Sequence, residues 1–243
     1  MMMILVCDTS NSTCCAGVYE DGKEIAYKLS LEKRTHSETF MPLVHEVMQE
    51  ANITHADLDA YAVTVGPGSF TGVRIGLSAV KAMALAAGKG CIPVSSTEAL
   101  ARSVDNVTAA RKEDTLIVPA FDARNNRVFA QAAEDDTAKT IVKEDAYDAD
   151  DLAAKILGTP EIIYGARTQI LVVGDGADTM KEAFERAGAH INVYYAKGAA
   201  ILPKGIAAAA FAKGEAGVIL GRDIEASYCA ASRVKTLKEQ QNG

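Results

Sequence analysis

The run Val65-Gly66-Pro67-Gly68-Ser69-Phe70-Thr71-Gly72-Val73-Arg74-Ile75-Gly76 constrains this chain more than any other segment. A β-prone stretch from Tyr61 to Val65 stops at a Gly-Pro-Gly turn, and a helix of small and apolar residues follows without a linker. Glycine on both sides of a proline lets the backbone turn sharply and be approached closely. The turn opens onto a helix start, whose first N–H groups lack intrahelical partners and suit an anion. It is not a Walker A loop, because Val73 stands where a lysine should follow Gly72. Between Val73 and Ala87 the polar side chains are Arg74, Ser78 and Lys81, confined to roughly 60° of a helical wheel. A helix lying on a sheet ordinarily exposes far more polar surface than this. It is therefore expected to pack on its own domain on one side and on a partner on the other. Gly72, Gly76, Ala79 and Ala86 are expected to admit a second helix. The expected partner interface is Val73, Arg74, Leu77, Val80, Lys81 and Ala84, with Phe40, Val44 and Val47 of the preceding helix.

Around this string the first hundred residues parse as an α/β unit. Ile4–Asp8, Thr13–Tyr19 and Glu24–Ser30 are short strands separated by polar turns, an antiparallel meander. Thr35-His36-Ser37-Glu38 is a capping box before an amphipathic helix running to about Ala51. Leu58–Val65, the helix to Ala87, Cys91–Val94 and a helix from Ser96 complete the order βββαβαβα. After a polar stretch at Asp105–Asp114 the plan restarts: Leu116–Phe121, Asp122, the turn Ala123–Asn126, then Arg127–Ala132. Ile170–Val173 is a buried strand, Gly174-Asp175-Gly176 a turn, and Asp178–Ala187 a helix. Two units opening alike predict a duplicated α/β fold, with lobes at 1–105 and 106–243 and a C-terminal helix returning to the first.

The formal net charge of −7 makes the chain as a whole a poor grip for a nucleic-acid backbone. The basic residues Arg233, Lys235 and Lys238 read as a solvated tail. Five cysteines with no Cys-x-x-Cys pair indicate neither a zinc site nor a disulfide framework. His36, His45, His55 and His190 form no i, i+4 pair, so no metal site is expected. No Ser-His-Asp or Cys-His arrangement stands out, and no catalytic residue is assigned. The opening Met1–Val6 is too short for a signal peptide, and no apolar run is read as spanning a bilayer. A cytoplasmic chain with no membrane contact is expected.

An ordered series of motifs resembles a known family. Ile4-Leu5-Val6-Cys7-Asp8-Thr9-Ser10, His36-Ser37-Glu38, Gly66–Lys81, Val94-Ser95-Ser96-Thr97, Phe121-Asp122-Ala123-Arg124 and Gly174-Asp175-Gly176 are similar to the TsaB family of bacterial tRNA threonylcarbamoyladenosine biosynthesis proteins. That family comprises non-catalytic relatives of TsaD in the glycoprotease-like branch of the actin, sugar-kinase and Hsp70 (ASKHA) fold group. The resemblance implies duplicated RNase H-like lobes with mixed sheets flanked by helices. Sugar-kinase-like and actin-like members hold phosphate on an Asp-x-Gly hairpin; Ser10 replaces that glycine here, and Asp122 is followed by Ala123-Arg124. Asp8, Thr9, Ser10 and Asp122 thus become a degenerate nucleotide site. The His-x-x-x-His metal motif of TsaD-like proteins falls on Ser96 and Leu100. The implied role is a scaffold in synthesis of N6-threonylcarbamoyladenosine at tRNA position 37, beside a TsaD-like catalytic subunit and a TsaE-like ATPase. The implied isolated form is a homodimer, with ATP or ADP and tRNA met only through the complex. The ending Ser227-Tyr228-Cys229-Ala230-Ala231-Ser232 departs from the usual Pro-x-Tyr-Leu-Arg. The alternatives are an ATP-dependent small-molecule kinase, a metallopeptidase-like protein, and a dimeric small-molecule binder.

Overall fold

A computed structural model describes residues 1–31, 36–104, 114–134 and 139–227. In chain order the elements are β1 (Met3–Asp8), β2 (Cys14–Glu20), β3 (Lys23–Ser30), α1 (His36–Glu50), β4 (Ala60–Thr64), α2 (Phe70–Ala87), β5 (Gly90–Val94) and α3 (Ser96–Ser103). Then follow β6 (Thr115–Arg124), β7 (Arg127–Glu134), β8 (Lys139–Asp148), α4 (Ala149–Leu157), α5 (Pro160–Ile163), β9 (Gln169–Val173), α6 (Ala177–Arg186), β10 (Asn192–Ala196), α7 (Pro203–Lys213) and β11 (Ile219–Leu220).

Two mixed sheets carry the fold, and they share one topology. The first has the order β11-β5-β4-β1-β2-β3 and the second β10-β9-β6-β7-β8. In each, an antiparallel meander joins two parallel strands, so β6 to β10 repeat the arrangement of β1 to β5. The duplication that the motifs suggest is present in the strand order itself. Central strands explain their sequences: Met3–Asp8 and Ala60–Thr64 are buried on both faces and read as continuous small or apolar runs.

The layers alternate helix, sheet, helix, sheet, helix. On one face of the first sheet, Leu5, Tyr61 and Val63 pack with Phe40, Val44 and Val47 of α1 and Leu77 and Val80 of α2. Its other face shares a core with the second sheet, in which Ile4, Val6 and Ala62 meet Ile117, Phe121 and Leu171 through α3 and α7. Gly205 of α7 lies against Ala99 and Ser103 of α3, where a methyl group would collide, so these two helices cross closely. The far face of the second sheet is covered by α4 and α6. The space between the lobes is therefore filled with aliphatic side chains.

The chain crosses to the second sheet after α3 and returns at Ile201. Residues 203–227 lie on the first sheet: α7 covers its inner face and β11 pairs antiparallel with β5. Thus α7 and the segment after it, as far as residue 227, pack on the first sheet. The capping-box residue Thr35, the tail cations Arg233, Lys235 and Lys238, and residues 228–243 lie outside the described residues.

By length and composition alone, α2 is long and apolar enough to cross a membrane, with a mean hydropathy of 1.3. Its Val73, Leu77, Val80 and Ala84 pack on the first sheet instead, and Arg74 and Lys81 lie within its span.

Candidate functional site

The glycine string acts first on its own chain. Ser69 caps α2 by accepting from the Gly72 amide (3.2 Å), and Gly88, in the left-handed region, closes its C-terminus. Each glycine before and within the helix faces a backbone or hydroxyl group. A methyl at Gly68 would overlap the Ser10 carbonyl, one at Gly72 the Thr9 carbonyl, and one at Gly76 the Thr9 hydroxyl. The Thr9 hydroxyl donates to the Gly72 carbonyl (2.7 Å) and accepts from the Gly76 amide (3.0 Å), while the Ser69 amide donates to the Ser10 carbonyl (2.7 Å). The Asp8–Ser10 hairpin is thus seated against the start of α2. Gly72 and Gly76 do not receive a partner helix, because Thr9 already occupies that space. Gly66 faces the Ser227 carbonyl, whose own amide donates to Val65 (2.7 Å).

The second lobe repeats this device. Gly174 and Gly176 follow β9 as Gly66 and Gly68 follow β4. Methyls there would meet the backbone of Ala120 and Phe121, just before the second hairpin. Asp175 accepts from the Asp122 amide (3.0 Å), and partial desolvation raises its carboxyl pKa, with the Asp122 charge adding to the rise. Both glycine turns brace the neighbouring hairpin.

Asp8, Thr9 and Ser10 are all buried, whereas Asp122 is exposed. One oxygen of Asp8 accepts from the Ser10 amide (3.0 Å), the Ser10 hydroxyl (2.6 Å) and the Thr64 hydroxyl (2.5 Å). The Ser96 hydroxyl then donates to Ser10 (3.0 Å). The other Asp8 oxygen has no hydrogen-bond partner among the described residues. Burial raises the Asp8 pKa, against the hydrogen bonds of Ser10 and Thr64 that lower it. Ser96 thus sits in a closed hydroxyl network and Leu100 in the inter-lobe core. A serine and a leucine supply no imidazole for a metal, and the described residues contain no cluster of three His, Cys, Asp or Glu arranged for one. The four described cysteines are buried and free, and burial pushes the Cys14 thiol up to about 12, which makes it a poor nucleophile.

At the same end of α3, Ser95 and Thr97 both donate to Glu144 of β8. Burial raises the Glu144 pKa, with Ser95, Thr97 and Lys213 pulling the other way and Glu98 adding to the rise. Sequence reading missed this clasp, because its partners are about fifty residues apart and no motif joins them.

The expected interface divides sharply. Val73, Leu77, Val80 and Ala84 of α2, and Phe40, Val44 and Val47 of α1, are buried in the chain's own core and present nothing to a partner. The helical wheel identified an apolar face correctly but assigned the sheet-facing side outward. Lys81 is committed in cis, donating to the carbonyls of Ile224 (2.9 Å) and Arg222 (3.4 Å) in the segment that runs back over α2. Arg74 is exposed and stacks on the Phe70 ring at 3.6 Å. The face that remains open carries Phe70 (57% exposed), Thr71, Arg74, Ser78, Ala82 and Leu85 (80% exposed), with Met41 (46% exposed) on α1. Phe70 and Leu85 share the Arg74–Ser78 stripe, a signal available in the helical spacing.

Comparison with known proteins places these features. The family model described as "TsaD: tRNA N6-adenosine threonylcarbamoyltransferase" matches residues 30–234. The chain belongs to this family. It is 38% identical over 128 residues to the tRNA threonylcarbamoyladenosine biosynthesis protein TsaB of Bacillus subtilis (strain 168), a match covering 53% of each chain. It is 33% identical over 128 residues to the TsaB of Escherichia coli (strain K12), again over 53% of each. The chain spans about half the length of the curated relatives it matches. In structure it resembles YeaZ from Pseudomonas aeruginosa, with a TM-score of 0.76, 21% identity, and coverage of 94% of this chain and 100% of that one. That likeness shows the α/β fold common to both chains.

Proposed function

We propose that this TsaD-family chain is a non-catalytic subunit that supports a TsaD-type transferase in making N6-threonylcarbamoyladenosine in tRNA, in the cytoplasm. The observation that carries this reading is the occupied site. Thr9 and Ser10 are packed against Gly68, Gly72 and Gly76, and the metal positions of the catalytic relatives hold Ser96 and Leu100. That packing and the missing imidazoles support a chain that neither cradles phosphate nor holds a metal-bound oxygen there. The named relatives support the pathway, and the exposed apolar stripe of α2 supports a subunit role. In this reading the stripe from Phe70 to Leu85 docks on the TsaD-type subunit, or on a second copy when that subunit is absent. A TsaE-type ATPase, ATP or ADP, and tRNA then enter at the assembled complex.

The test is reconstituted threonylcarbamoyl transfer to tRNA from its adenylate donor, with the TsaD- and TsaE-type proteins of the same organism. Omitting this chain is expected to abolish the modification. Ser96→Ala should restore it as well as wild type does, whereas Phe70→Asp should not. A Ser96→Ala protein that folds and binds its partner but fails in the assay would make this chain a participant in the chemistry and overturn the reading.

A further inference from the structure

The first hairpin carries two polar atoms that its packing on α2 does not serve. Oδ2 of Asp8 and the hydroxyl of Thr13 are both buried without a hydrogen-bond partner among the described residues. Asp8 is 0% exposed and Thr13 5%, so bulk water does not reach them. Buried polar atoms in folded chains are nearly always paired, with protein or with an ordered water. The two atoms also lie close by strand register. Asp8 at the end of β1 stands opposite Cys15 of β2, and residues two apart along a strand share a face. Ile4, Val6 and Cys15 all belong to the core shared with the second sheet. Asp8 and Thr13 therefore face that side together, as diagonal neighbours across the hairpin.

The surrounding hydroxyls cannot serve Oδ2, because each has a single proton and has already placed it. Ser10 and Thr64 donate to Oδ1 of Asp8, Ser96 donates to Ser10, and Thr9 donates to the Gly72 carbonyl. Nor does Thr13 bond Asp8 directly. Something small must stand between the two, and the donor and acceptor inventory selects it. A hydroxyl has a proton to give, whereas a carboxylate only accepts. Water meets both needs, accepting from Thr13 and donating to Oδ2. It also serves a protonated Asp8, by accepting from the acid. A metal ion would bind the oxygens but leave the Thr13 proton unplaced. The described residues also hold no group of three His, Cys, Asp or Glu that could fix an ion. Two to four polar partners are enough to hold a buried water.

We propose that one long-lived water molecule is bound between Oδ2 of Asp8 and the Thr13 hydroxyl, joining the end of β1 to the residue before β2. The site does not depend on the subunit role. The experiment is a high-resolution crystal structure of the full chain, with crystals soaked in rubidium and manganese salts as heavy stand-ins for monovalent and divalent cations. A density peak about 2.6–3.2 Å from both oxygens is expected, with no anomalous signal from either metal. An anomalous peak would make the occupant a cation and overturn the proposal. So would a peak bonded to only one of the two oxygens, no peak at all, or a direct protein partner on either atom. In solution, oxygen-17 relaxation dispersion counts long-lived internal waters. Thr13→Val keeps the shape of the side chain and removes the hydroxyl, so the count should fall by one. An unchanged count in a folded Thr13→Val protein would contradict the bridge. If that variant does not fold, the crystal structure of the wild-type chain still decides.

Discussion

Thr9 and Asp8 concentrate what the glycine string means. Thr9 touches α2 at two successive turns, through the Gly72 carbonyl and the Gly76 amide, and leaves no room for a side chain at either position. Gly72→Ala is expected to cost about 1–3 kcal/mol, the usual price of overpacking a tight site, read as a lower denaturant midpoint at unchanged slope. Asp8 makes a pH prediction. Its native carboxyl holds a proton more tightly than the unfolded one, so its contribution to stability is greatest below the unfolded pKa, near 4. That contribution falls as pH climbs through the raised native value. Asp8→Asn removes the titration, so its stability relative to wild type should improve as pH rises from about 4 toward neutrality. Chemical denaturation at several pH values measures this, and a difference independent of pH would contradict the buried, hard-to-ionise Asp8. The sequence identified the hairpin and the glycines, but not that they fill one another. Seating Thr9 on Gly72 needs a contact across sixty-three residues, which spacing cannot supply.

At the scale of elements, α2 decides the account. Its outline was legible from the Gly-Pro-Gly turn before it and a run of mostly small and apolar side chains to Ala87. Which side faces the sheet was not legible, because an almost wholly apolar helix gives the wheel too little contrast. The polar stripe did mark the outward side; the error lay in treating Val73, Leu77, Val80 and Ala84 as free. Val80→Ala is therefore expected to behave as a core deletion, costing about 1–3 kcal/mol. Leu85→Arg, at an exposed position, should change stability by less than about 0.5 kcal/mol. Thermal melts of the two variants check this directly. The small-residue helix α7 was expected only as a C-terminal helix returning to the first lobe, and its bounds were not legible for a related reason. Its run of four alanines between Ile206 and Phe211 has no amphipathic period, since it is covered on two sides by the first sheet and α3. The strand β8 mixes polar and apolar residues at a sheet edge.

For the whole molecule, the two sheets with one strand order, a filled core between them and a returning C-terminal segment describe a closed body. The opening motifs of the two halves gave away the duplication, because a hairpin braced by a glycine turn occurs at the same place in each. The lobe boundary was less visible: α7 and β11 join the first sheet through contacts with strands more than a hundred residues earlier. The Glu144 clasp on Ser95 and Thr97 ties β8 to the start of α3, where the two lobes meet. Glu144→Ala should lower stability by about 1–3 kcal/mol, since it leaves two hydroxyls without their acceptor. Hydrogen exchange should quicken at the α3 start before it does in α1. Among the described residues of the first lobe, the outer stripe of α2 carries the exposed Phe70 and Leu85. The most direct measurement is calorimetric titration of the TsaD-type subunit with wild type and with the folded double variant Phe70→Asp, Leu85→Arg. Saturable binding by wild type and a loss of at least about a hundredfold in the variant are expected. Equal binding by both would contradict the account.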